Sequence, residues 1–418
     1  MTDAKPIVIS KSQVFTAYKR IKANKGSAGV DGESLKDFEL NLRDNLYKVW
    51  NRLSSGSYLP PAVRRVEIPK GKGKTRPLGI PTVSDRIAQM VVKMQIEPLI
   101  EPHFHPDSYG YRPNKSAHQA VKQARTRCWK RAWVLDMDIQ GFFDNIDHEL
   151  MMRAVKCHIS ERGLLLYIER WLKAPVQLKD GSIQVSDKGT PQGGVISPLL
   201  ANLFLHYVFD RWLEKYWAGI QFERYADDIV CHCVSKRQAD ALYASLQKRF
   251  ESCGLKLHPE KTKIVYCKDA NHKGSYPVIT VDFLGFTFKP RLTKSRYKGF
   301  FVSYGPAISR SSSQRIWTTM RVWRLHRRHD KTIEELSLYC RASVRGWINY
   351  YGQIERSVIK SVLFHLDKLL SKWAYCKYRK IKSRGAASRW LSGVQERQPG
   401  MFAHWLARKQ RGLTIRAV

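Results

Sequence analysis

Residues 223–233, ERYADDIVCHC, place two adjacent carboxylates between two short apolar segments. Phe222–Tyr225 and Ile229–Cys233 predict the strands of a hairpin, with Asp227 and Asp228 at its tip. Adjacent acids at a turn are most often solvated turn residues. The flanking segments are apolar on both sides, however, which predicts a buried hairpin and keeps a functional carboxylate pair open as the second interpretation.

A second acidic segment, WVLDMDIQGFFDNID at 133–147, begins in an apolar strand predicted over Ala132–Met137. If this strand lies beside the hairpin, Asp138 joins Asp227 in one carboxylate cluster. Like charges at close range repel one another unless a divalent cation neutralises them, and Mg²⁺ binds carboxylate and phosphate oxygens. The pattern therefore indicates a two-metal site for phosphoryl transfer.

The rest of the chain shows a change of pattern near residues 290–310. Strands and helices alternate before it, with strands predicted over Val63–Ile68 and Leu78–Ile80 and helices over Glu149–Lys173, Pro198–Tyr216 and Lys236–Cys253. After it, apolar residues recur at three- and four-residue steps from Ile333 to Tyr351 and from Val358 to Trp373. These steps predict two amphipathic helices with basic outer faces.

The charge is strongly unbalanced, with a formal net charge of +37 over 418 residues. Residues 291–418 hold 28 Lys and Arg against 6 Asp and Glu, so the last third is the most basic part. Such an excess repels itself and favours a polyanionic partner. A basic surface without such a partner is the alternative. With 43% hydrophobic residues, the chain can also bury substantial cores.

The eight cysteines form no Cys-x-x-Cys pair. Cys231 and Cys233 alternate along one predicted strand, which favours buried thiols over a metal site or a disulfide. No apolar run reaches the length of a membrane span, and the N-terminus lacks the apolar stretch of a signal peptide. We therefore expect a reduced, cytoplasmic protein without membrane contact.

YADD at 225–228 resembles the tyrosine-x-Asp-Asp box of reverse transcriptases, in the variant typical of group II intron reverse transcriptases, or maturases. Further segments similar to that family follow in its order: GSAGVDG (26–32), IPKGKGKTRPLGIPTVSDRIAQ (68–89), SYGYRPNKSAHQAV (108–121), DIQGFFDNIDH (138–148), GTPQGGVISPLLANLFL (189–205), HPEKTKIV (258–265), FLGFTF (283–288) and RGWINYYG (345–352). The resemblance covers nearly the whole chain. It departs from many relatives in lacking the cysteine pairs of a C-terminal His-Asn-His endonuclease.

The resemblance implies an α+β fold of the right-hand polymerase type. Fingers and palm with an antiparallel sheet are expected over 1–290, and an α-helical thumb or maturase-specific (X) domain over 291–375. A short basic nucleic-acid-binding segment is expected over 376–418, where aromatic residues alternate with cations in a way that suits phosphate contact and base stacking.

The resemblance also implies roles for individual residues. Asp138, Asp227 and Asp228 would be catalytic and would bind two Mg²⁺ ions together with Ile139. The other expected groups are the dNTP-binding residues Lys70, Arg76, Phe143, Gln192 and Lys261, the primer grip Leu284 and Gly285, and the nucleic-acid-binding residues Arg112, Arg345, Lys377, Arg379 and Lys380. Without the resemblance, Lys70 and Arg76 also read as cations on a solvated hairpin, and Phe143 as a core residue.

The expected function is that of an RNA-directed DNA polymerase that binds its group II intron RNA, assists its splicing and copies it during mobility. The expected partners are intron RNA, an RNA template with a DNA primer or target DNA, and dNTPs, bound by a monomer or homodimer. Two alternatives stay open: a related polymerase used in phage defence, repair or CRISPR spacer acquisition, and a splicing-only RNA-binding cofactor.

Overall fold

The computed structural model describes residues 8–71, 74–295, 299–354 and 356–409, without the side chains of 70, 71, 74, 295, 356 and 407–409. The chain forms two compact units. The first contains Met1–Ser116 and Leu135–Lys263, and the second contains Ala117–Val134 and Ile264–Val418. The predicted boundary at 290/291 falls inside a strand of the second unit, and the three predicted domains stay a prediction.

The first unit alternates helices with short strands. Its elements are α1 (Lys11–Asn24), α2 (Leu35–Leu40), α3 (Leu42–Ser54), β1 (Val63–Gly71), β2 (Lys74–Ile80), α4 (Val83–Ile100), α6 (His148–Lys156), α7 (Arg162–Leu172), β4 (Val176–Gln177), β5 (Ile183–Gln184), α8 (Ser197–Leu205), α9 (Arg211–Tyr216), β6 (Gln221–Tyr225), β7 (Asp228–Cys233) and α10 (Lys236–Glu251). A π-helical turn, His206–Asp210, joins α8 to α9.

The second unit combines a long hairpin with a helical region. Its elements are α5 (Ala117–Cys128), β9 (Val281–Phe283), β10 (Phe286–Ser295), β11 (Gly299–Ile308), α11 (Arg310–Val322), α12 (Ile333–Tyr351), α13 (Arg356–Lys377), α14 (Arg384–Arg397) and α15 (Ala403–Lys409). The boundary between the units runs through the remaining strands, β3 (Trp133–Met137) and β8 (Lys263–Tyr266).

In the described residues three sheets carry the strands, in the orders β2-β1-β4-β5, β6-β7-β3-β8 and β11-β10-β9. The predicted YADD hairpin is confirmed, because β6 and β7 pair antiparallel from Gln221↔His232 to Tyr225↔Asp228. The predicted position of the Asp138 strand is also confirmed, since β3 neighbours β7. The antiparallel expectation needs one correction: β1 and β4 pair in parallel.

One of the predicted helices is wrong in its continuity, and a second is confirmed as helical but is not α-helical over its whole length. Glu149–Lys173 is divided into α6 and α7, each of which buries its own apolar face, around Met151 and Tyr167 respectively. Pro198–Tyr216 is helical throughout but contains the π turn, whose extra residue rotates everything after it around the helix axis. The prediction over Lys236–Cys253 is confirmed as α10.

The two amphipathic helices predicted after residue 330 are confirmed as α12 and α13. Thr332 and Glu335 cap the start of α12 reciprocally, which satisfies backbone N–H groups that the first turn leaves without partners. The fully buried indoles of Trp373 and Trp405 lie in the apolar core of this region. Asp367 Oδ1 accepts hydrogen bonds from His404 Nε2 and Trp405 Nε1, both at 2.8 Å, which offset part of the cost of burying the carboxylate.

The thiols of Cys231 and Cys233 are buried, as the strand alternation predicts. None of the helices in the described ranges has both the length and the apolar character that crossing a membrane requires.

A buried carboxylate on α4 accepts the hydrogen bonds that orient the support of segment 189–196. Asp85 is 1% exposed and accepts hydrogen bonds from Tyr58 Oη at 3.0 Å and Trp171 Nε1 at 2.8 Å. Gln89 Nε2 donates to its second oxygen at 2.9 Å, while Gln89 Oε1 accepts the N–H of Val195 at 2.7 Å. The carboxylate therefore orients the glutamine that holds the loop.

Asp85→Asn should reveal the cost of this buried charge through the pH dependence of stability. Burial raises the pKa of Asp85 from 3.8 to about 6, although hydrogen bonds from Trp171, Gln89 and Tyr58 oppose the rise. Above the unfolded value, the unfolded chain releases this proton more readily, so the contribution of Asp85 to stability falls as pH rises from about 4 to about 6. We therefore expect the free energy of unfolding of the wild type, relative to that of Asp85→Asn, to fall by about 3 kcal/mol as pH rises through this window.

Urea unfolding of both proteins between about pH 4 and about pH 7 measures this difference. Asp240→Asn is the control, because the Asp240 side chain is 51% exposed and its ion pair with Lys236 is solvated. At the acidic end the Asp85 variant should be less stable than the wild type, since its amide places an N–H group against Gln89 Nε2. A difference that is constant with pH would show that Asp85 does not titrate in this range.

Candidate active site

The two acids of YADD lie at a strained two-residue turn. Tyr225 pairs with Asp228 across the hairpin, so Ala226 and Asp227 form the connection. Ala226 has φ 58°, in the left-handed region that glycine normally occupies in such turns, at a cost of about 1–2 kcal/mol. Asp227 is half-buried and Asp228 is exposed. Strain of this kind is typical of functional sites whose surroundings fix the backbone.

A buried ion pair supports this turn. Arg224 and Asp210 have no exposed side-chain surface and form two hydrogen bonds, Nε to Oδ1 at 2.8 Å and Nη2 to Oδ2 at 2.6 Å. Burial raises the pKa of the Asp210 carboxyl, but the Arg224 guanidinium outweighs it and holds the pKa below its usual value. Asp210 is the last residue of the π turn, so the additional helical residue brings it to this position.

The remaining Nη1 of Arg224 connects the pair to the turn itself. It donates to Asn202 Oδ1 at 2.9 Å and to the carbonyl oxygen of Ala226 at 3.3 Å. Asn202 Nδ2 in turn donates to the carbonyl of Gly110 at 2.6 Å. A Cβ at Gly110 would lie 2.4 Å from the backbone nitrogen of Ala226, so only glycine fits there. These contacts fix the backbone on which Asp227 stands.

Asp138 directly follows β3, the neighbour of β7. Its carboxylate is 29% exposed and Oδ2 lies 2.6 Å from Lys261 Nζ, while its backbone carbonyl accepts the N–H of His258 at 2.8 Å. The segment that carries Lys261 is thus attached to Asp138 twice. Ile139, the fourth predicted metal-binding position, is buried and bridges to Leu257.

The donor chemistry of these residues suits Mg²⁺, which prefers carboxylate oxygens. Within the described residues, no group of three or more His, Cys, Asp and Glu side chains is arranged to hold a metal ion. The Asp138 carboxylate is instead neutralised by Lys261. The metal ligands predicted at Asp138, Ile139, Asp227 and Asp228 therefore stay a prediction.

Tyr111 lies within electrostatic range of both acids and of Arg76 on the β1–β2 hairpin. Burial raises the pKa of its phenol, Asp227 and Asp228 raise it further, and Arg76 lowers it. Because all three charges act on one hydroxyl, exposed Arg76 lies within electrostatic range of the site. Tyr111 also has a left-handed backbone, with φ 56°. The side chain of Lys70 lies outside the described part of the chain, so its contact with a triphosphate stays a prediction.

The loop containing Gln192 is held against both β2 and the segment after β3. The carbonyl of Gln192 accepts the N–H of Gly79 at 2.7 Å, and the N–H of Thr190 donates to Phe143 at 2.8 Å. A Cβ at Gly193 would lie 2.3 Å from the Gly79 carbonyl oxygen, so this approach requires glycine. The loop that contains Gln192 is therefore attached to β2 through Gln192 itself and to Phe143 through Thr190.

The two phenylalanines of the acidic segment lie in different environments. Phe142 is buried, whereas Phe143 is half-buried and packs edge-on against it, with 5.3 Å between the ring centroids. A half-buried ring can also contact a ligand. Phe143 therefore does not have the fully buried environment of an ordinary core residue.

The predicted primer grip lies in the second unit and is also a strained turn. Phe283 pairs with Phe286, so Leu284 and Gly285 form a two-residue connection in which both have positive φ, 51° and 78°. Tyr350 Oη of α12 donates to the Leu284 carbonyl at 2.9 Å, and Ser312 Oγ of α11 donates to the Gly285 carbonyl at 3.1 Å. The helices of the same unit thus fix both carbonyls of the turn.

The predicted nucleic-acid-binding residues differ in accessibility. Arg379 and Lys380 are exposed, and Arg345 is half-buried. Lys377 donates to the backbone carbonyl of Lys331. Arg112 is only 7% exposed, pairs with Glu101 at 2.8 Å and donates to the carbonyls of His105 and Ser108. This geometry makes Arg112 a support for its own loop, and direct nucleic-acid contact by these residues stays a prediction.

Sequence reasoning missed Arg224, Asp210 and Asn202 as supports of the site. A signal for them exists: Arg224 stands inside a predicted strand, between Glu223 and Tyr225, and Asp210 ends the run HYVFD, which contains no other acid. A buried charge requires a buried partner, so these two residues could have been paired. Tyr350 and Ser312 carry no comparable signal, because aromatic and hydroxyl side chains are common on helix faces.

Comparison with known proteins gives two family matches. Residues 68–288 match the family described as "Reverse transcriptase (RNA-dependent DNA polymerase)", and residues 313–391 match "Group II intron, maturase-specific domain".

Three curated relatives are similar over part of the chain. Protein YkfC of Escherichia coli is 34% identical over 278 residues, which cover 58% of this chain and 73% of that protein. Group II intron-encoded protein LtrA of Lactococcus lactis is 36% identical over 195 residues, covering 46% of this chain and 32% of LtrA. A putative COX1/OXI3 intron 1 protein of Saccharomyces cerevisiae is 31% identical over 210 residues, 50% of this chain and 25% of that protein.

Gly110→Ala should slow primer extension strongly, because the added methyl group must displace the backbone of Ala226 and with it Asp227. A displacement of about 1 Å at a catalytic group typically costs about 100-fold in rate. We expect a fall in kcat of this order, with a much smaller change in the thermal midpoint of unfolding. Single-turnover extension of a primed RNA template and calorimetry measure the two quantities.

Gly400→Ala is the matched control, since a Cβ at Gly400 meets no atom within 4 Å. It should leave both the rate and the stability near the wild-type values. Wild-type kcat in the Gly110 variant would mean that activity does not depend on the contact between Gly110 and the turn at Ala226 and Asp227.

Proposed function

The chain belongs to the reverse transcriptase family and carries a group II intron maturase-specific domain, and from this we propose that it copies RNA into DNA and assists the splicing of the intron RNA that it binds. The observation that carries the proposal is the fixed turn that presents Asp227 and Asp228 at the strand next to β3, which Asp138 follows. We also propose that the same activity copies the intron during its mobility.

We propose that Asp138, Asp227, Asp228 and Ile139 hold two Mg²⁺ ions. Bound there, Mg²⁺ would assist attack by the primer 3′-hydroxyl and stabilise the leaving pyrophosphate. The protein contributes position: Arg224 and Gly110 fix the turn, and the sheet places β3 beside it. Phosphoryl transfer requires mainly such positioning and the neutralisation of charge.

The proposed dNTP pocket is built around Arg76, Gln192 and Phe143. Arg76 is exposed and acts electrostatically on the same hydroxyl as Asp227, which suits a guanidinium that receives phosphate oxygens. Lys70 would add a second cation on the same β1–β2 hairpin. The half-buried Phe143 would contact the sugar and disfavour a ribose 2′-hydroxyl, while Gln192 would line the pocket beside the template.

Lys261 has a specific part in this proposal. Its ammonium lies 2.6 Å from Asp138 Oδ2, so it neutralises the carboxylate before substrate binds. An incoming triphosphate offers more negative charge than one carboxylate, which favours transfer of the ammonium to the phosphate. From there Lys261 can donate a proton to the leaving pyrophosphate.

Leu284 and Gly285 are proposed as the primer grip. A leucine in the left-handed region is disfavoured where Asn would be better tolerated, which indicates that the side chain itself has a purpose. Tyr350 and Ser312 hold the two turn carbonyls. Because Tyr350 belongs to RGWINYYG in the maturase-specific match, that domain directly positions the turn.

Asp227→Ala should separate the polymerase from a splicing-only RNA-binding cofactor. We expect loss of cDNA synthesis on a primed RNA template by about a thousand-fold, since metal ions supply several kcal/mol of transition-state stabilisation. RNA binding and splicing assistance should stay near wild type, because Asp227 is one acid in a chain of net charge +37. Chelation of Mg²⁺ should abolish extension by the wild type in the same assay.

Asp240→Ala provides the matched loss of an acid outside the site and should extend primers normally. Extension by Asp227→Ala at the wild-type rate would refute the assignment of the site. Loss of extension in both variants would point to a general effect of the charge change.

Tyr350→Phe tests the link between the maturase-specific domain and the primer grip. It removes only the hydroxyl that donates to Leu284, and a hydrogen bond of this kind contributes about 1 kcal/mol. We therefore expect the KM for primer–template to rise about five-fold, while kcat and the KM for dNTP change little. Steady-state extension with varied primer–template and varied dNTP distinguishes these effects.

Tyr375→Phe, at a tyrosine that is 41% exposed on α13, is the control. An equal rise in both KM values would indicate a general loss of structure instead. An unchanged KM for primer–template would remove Tyr350 from the primer grip.

A further inference from the structure

The β10–β11 hairpin lies between the two family matches. Its strands pair over ten residues each, from Phe286↔Ile308 to Ser295↔Gly299. The reverse transcriptase match ends at residue 288 and the maturase match begins at residue 313. Most of the hairpin therefore has no role assigned by either family.

The half of the hairpin far from β9 exposes apolar side chains on both faces. Leu292 is 72% exposed, Phe300 67%, and Phe301 and Val302 38% each. Because Thr293 pairs with Phe301 and Leu292 with Val302, neighbouring pairs project to opposite faces of the ribbon. A concentration of exposed apolar groups on one small element marks a binding surface.

The charge of the hairpin indicates the chemistry of the partner. Residues 286–308 contain five Lys and Arg and no Asp or Glu. Lys294 Nζ lies 6.0 Å from the centroid of the Phe300 ring, which pairs a cation with an exposed aromatic face. Cations interleaved with aromatic rings complement a chain of phosphates and unpaired bases.

A groove beside the hairpin has the same chemistry. Its volume is about 490 Å³, and its lining includes Trp129, Arg125 and Phe301. Trp129 is 38% exposed and held in place by its Nε1 donating to the Tyr304 carbonyl at 2.7 Å. The Arg125 guanidinium lies 4.6 Å from the Trp129 ring centroid. Trp129 thus offers a fixed aromatic surface beside a cation.

One acid also lines this groove. Asp269 is 7% exposed, and its Oδ1 accepts the backbone N–H groups of Asn271 and His272, each at 2.8 Å. These hydrogen bonds engage that oxygen within its own loop, and the residue presents little surface to a ligand.

We propose that the outer half of the β10–β11 hairpin, together with Trp129 and Arg125, binds an unpaired nucleic-acid strand. On one face of the ribbon Phe301 and Trp129 stack on bases and Arg125 contacts a phosphate. On the opposite face Phe300 stacks on a further base of the same strand and Lys294 contacts another phosphate. Exposed rings favour an unpaired strand over a duplex, because bases inside a helix offer no free faces. The absence of acids from 286–308 favours a polyanion over a basic or neutral protein surface.

Lys294→Gln combined with Phe300→Ser tests this surface in the full chain. Removing one stacking ring and one phosphate contact should weaken binding of a fluorescent oligouridylate roughly ten-fold. The slope of log affinity against log salt should become shallower by about 0.7. Fluorescence anisotropy over a salt series measures both quantities.

Lys215→Gln combined with Tyr216→Ser is the matched control. It removes another exposed pair, in which Lys215 Nζ lies 5.3 Å from the Tyr216 ring centroid and Tyr216 is 60% exposed. It should change the affinity and the salt slope only slightly. Equal losses in the two double variants would overturn the proposal, because binding would then depend on charge alone.

Replacing Phe300 with photoreactive p-benzoylphenylalanine locates the strand directly. We expect a crosslink to the labelled oligouridylate that excess unlabelled strand removes and an equal amount of duplex does not. A matched oligodeoxythymidylate distinguishes DNA from RNA as the source of the strand, and crosslinking to either one supports the proposal. Crosslinking to a second copy of the chain, without either strand, would overturn it.

Discussion

The buried pair of Arg224 and Asp210 is the constraint on which the position of the turn at Ala226 and Asp227 depends. Burying two charges is costly, and removing one partner of such a pair typically costs about 3–5 kcal/mol. What the pair provides is position: the same guanidinium reaches the carbonyl of Ala226, the residue before Asp227. The pair exists because the π turn at His206–Asp210 adds one residue to the helical segment. One residue turns a helix face by about 100°, so an ordinary α-helix would direct Asp210 elsewhere.

Backbone strain is concentrated at the turns where chemistry or binding is proposed, because surrounding contacts hold those turns in place. Ala226, Tyr111 and Leu284 adopt left-handed conformations that non-glycine residues avoid. Such residues persist only where their surroundings over-determine the backbone. Arg224 and Gly110 do this for Ala226, while Tyr350 and Ser312 do it for the turn at Leu284. The two turns are thus stabilised from different parts of the chain, the first by polymerase elements and the second by helices near or within the maturase-specific region.

The sequence predicted the parts of the site that depend on local pattern. The hairpin at 223–233 and the strand before Asp138 follow from alternation and turn chemistry, and the structure confirms both and their adjacency. Periodicity could not reveal the π turn, because residues 198–209 are almost all apolar and show no single apolar face that one extra residue would visibly shift. It also could not distinguish Phe142 from Phe143, whose separate environments depend on how the segment packs after β3. Long-range pairs such as Tyr350 with Leu284 join residues 66 positions apart, and no local pattern specifies them.

The basic residues of the chain are of two kinds: some pair with acids, and many lie in a segment that has too few acids to pair with. The second kind is the main source of the high net charge. Several basic residues of the first unit have acidic partners: Arg224 pairs with Asp210, Arg112 with Glu101 and Lys261 with Asp138. Residues 291–418 cannot follow this pattern, because their 28 Lys and Arg face only 6 Asp and Glu within the segment. Most of that charge can be neutralised only from outside this segment, and a polyanion that releases its own counterions does so most effectively. The paired cations of the first unit therefore fix local geometry, while the excess of cations in 291–418 favours a nucleic-acid partner.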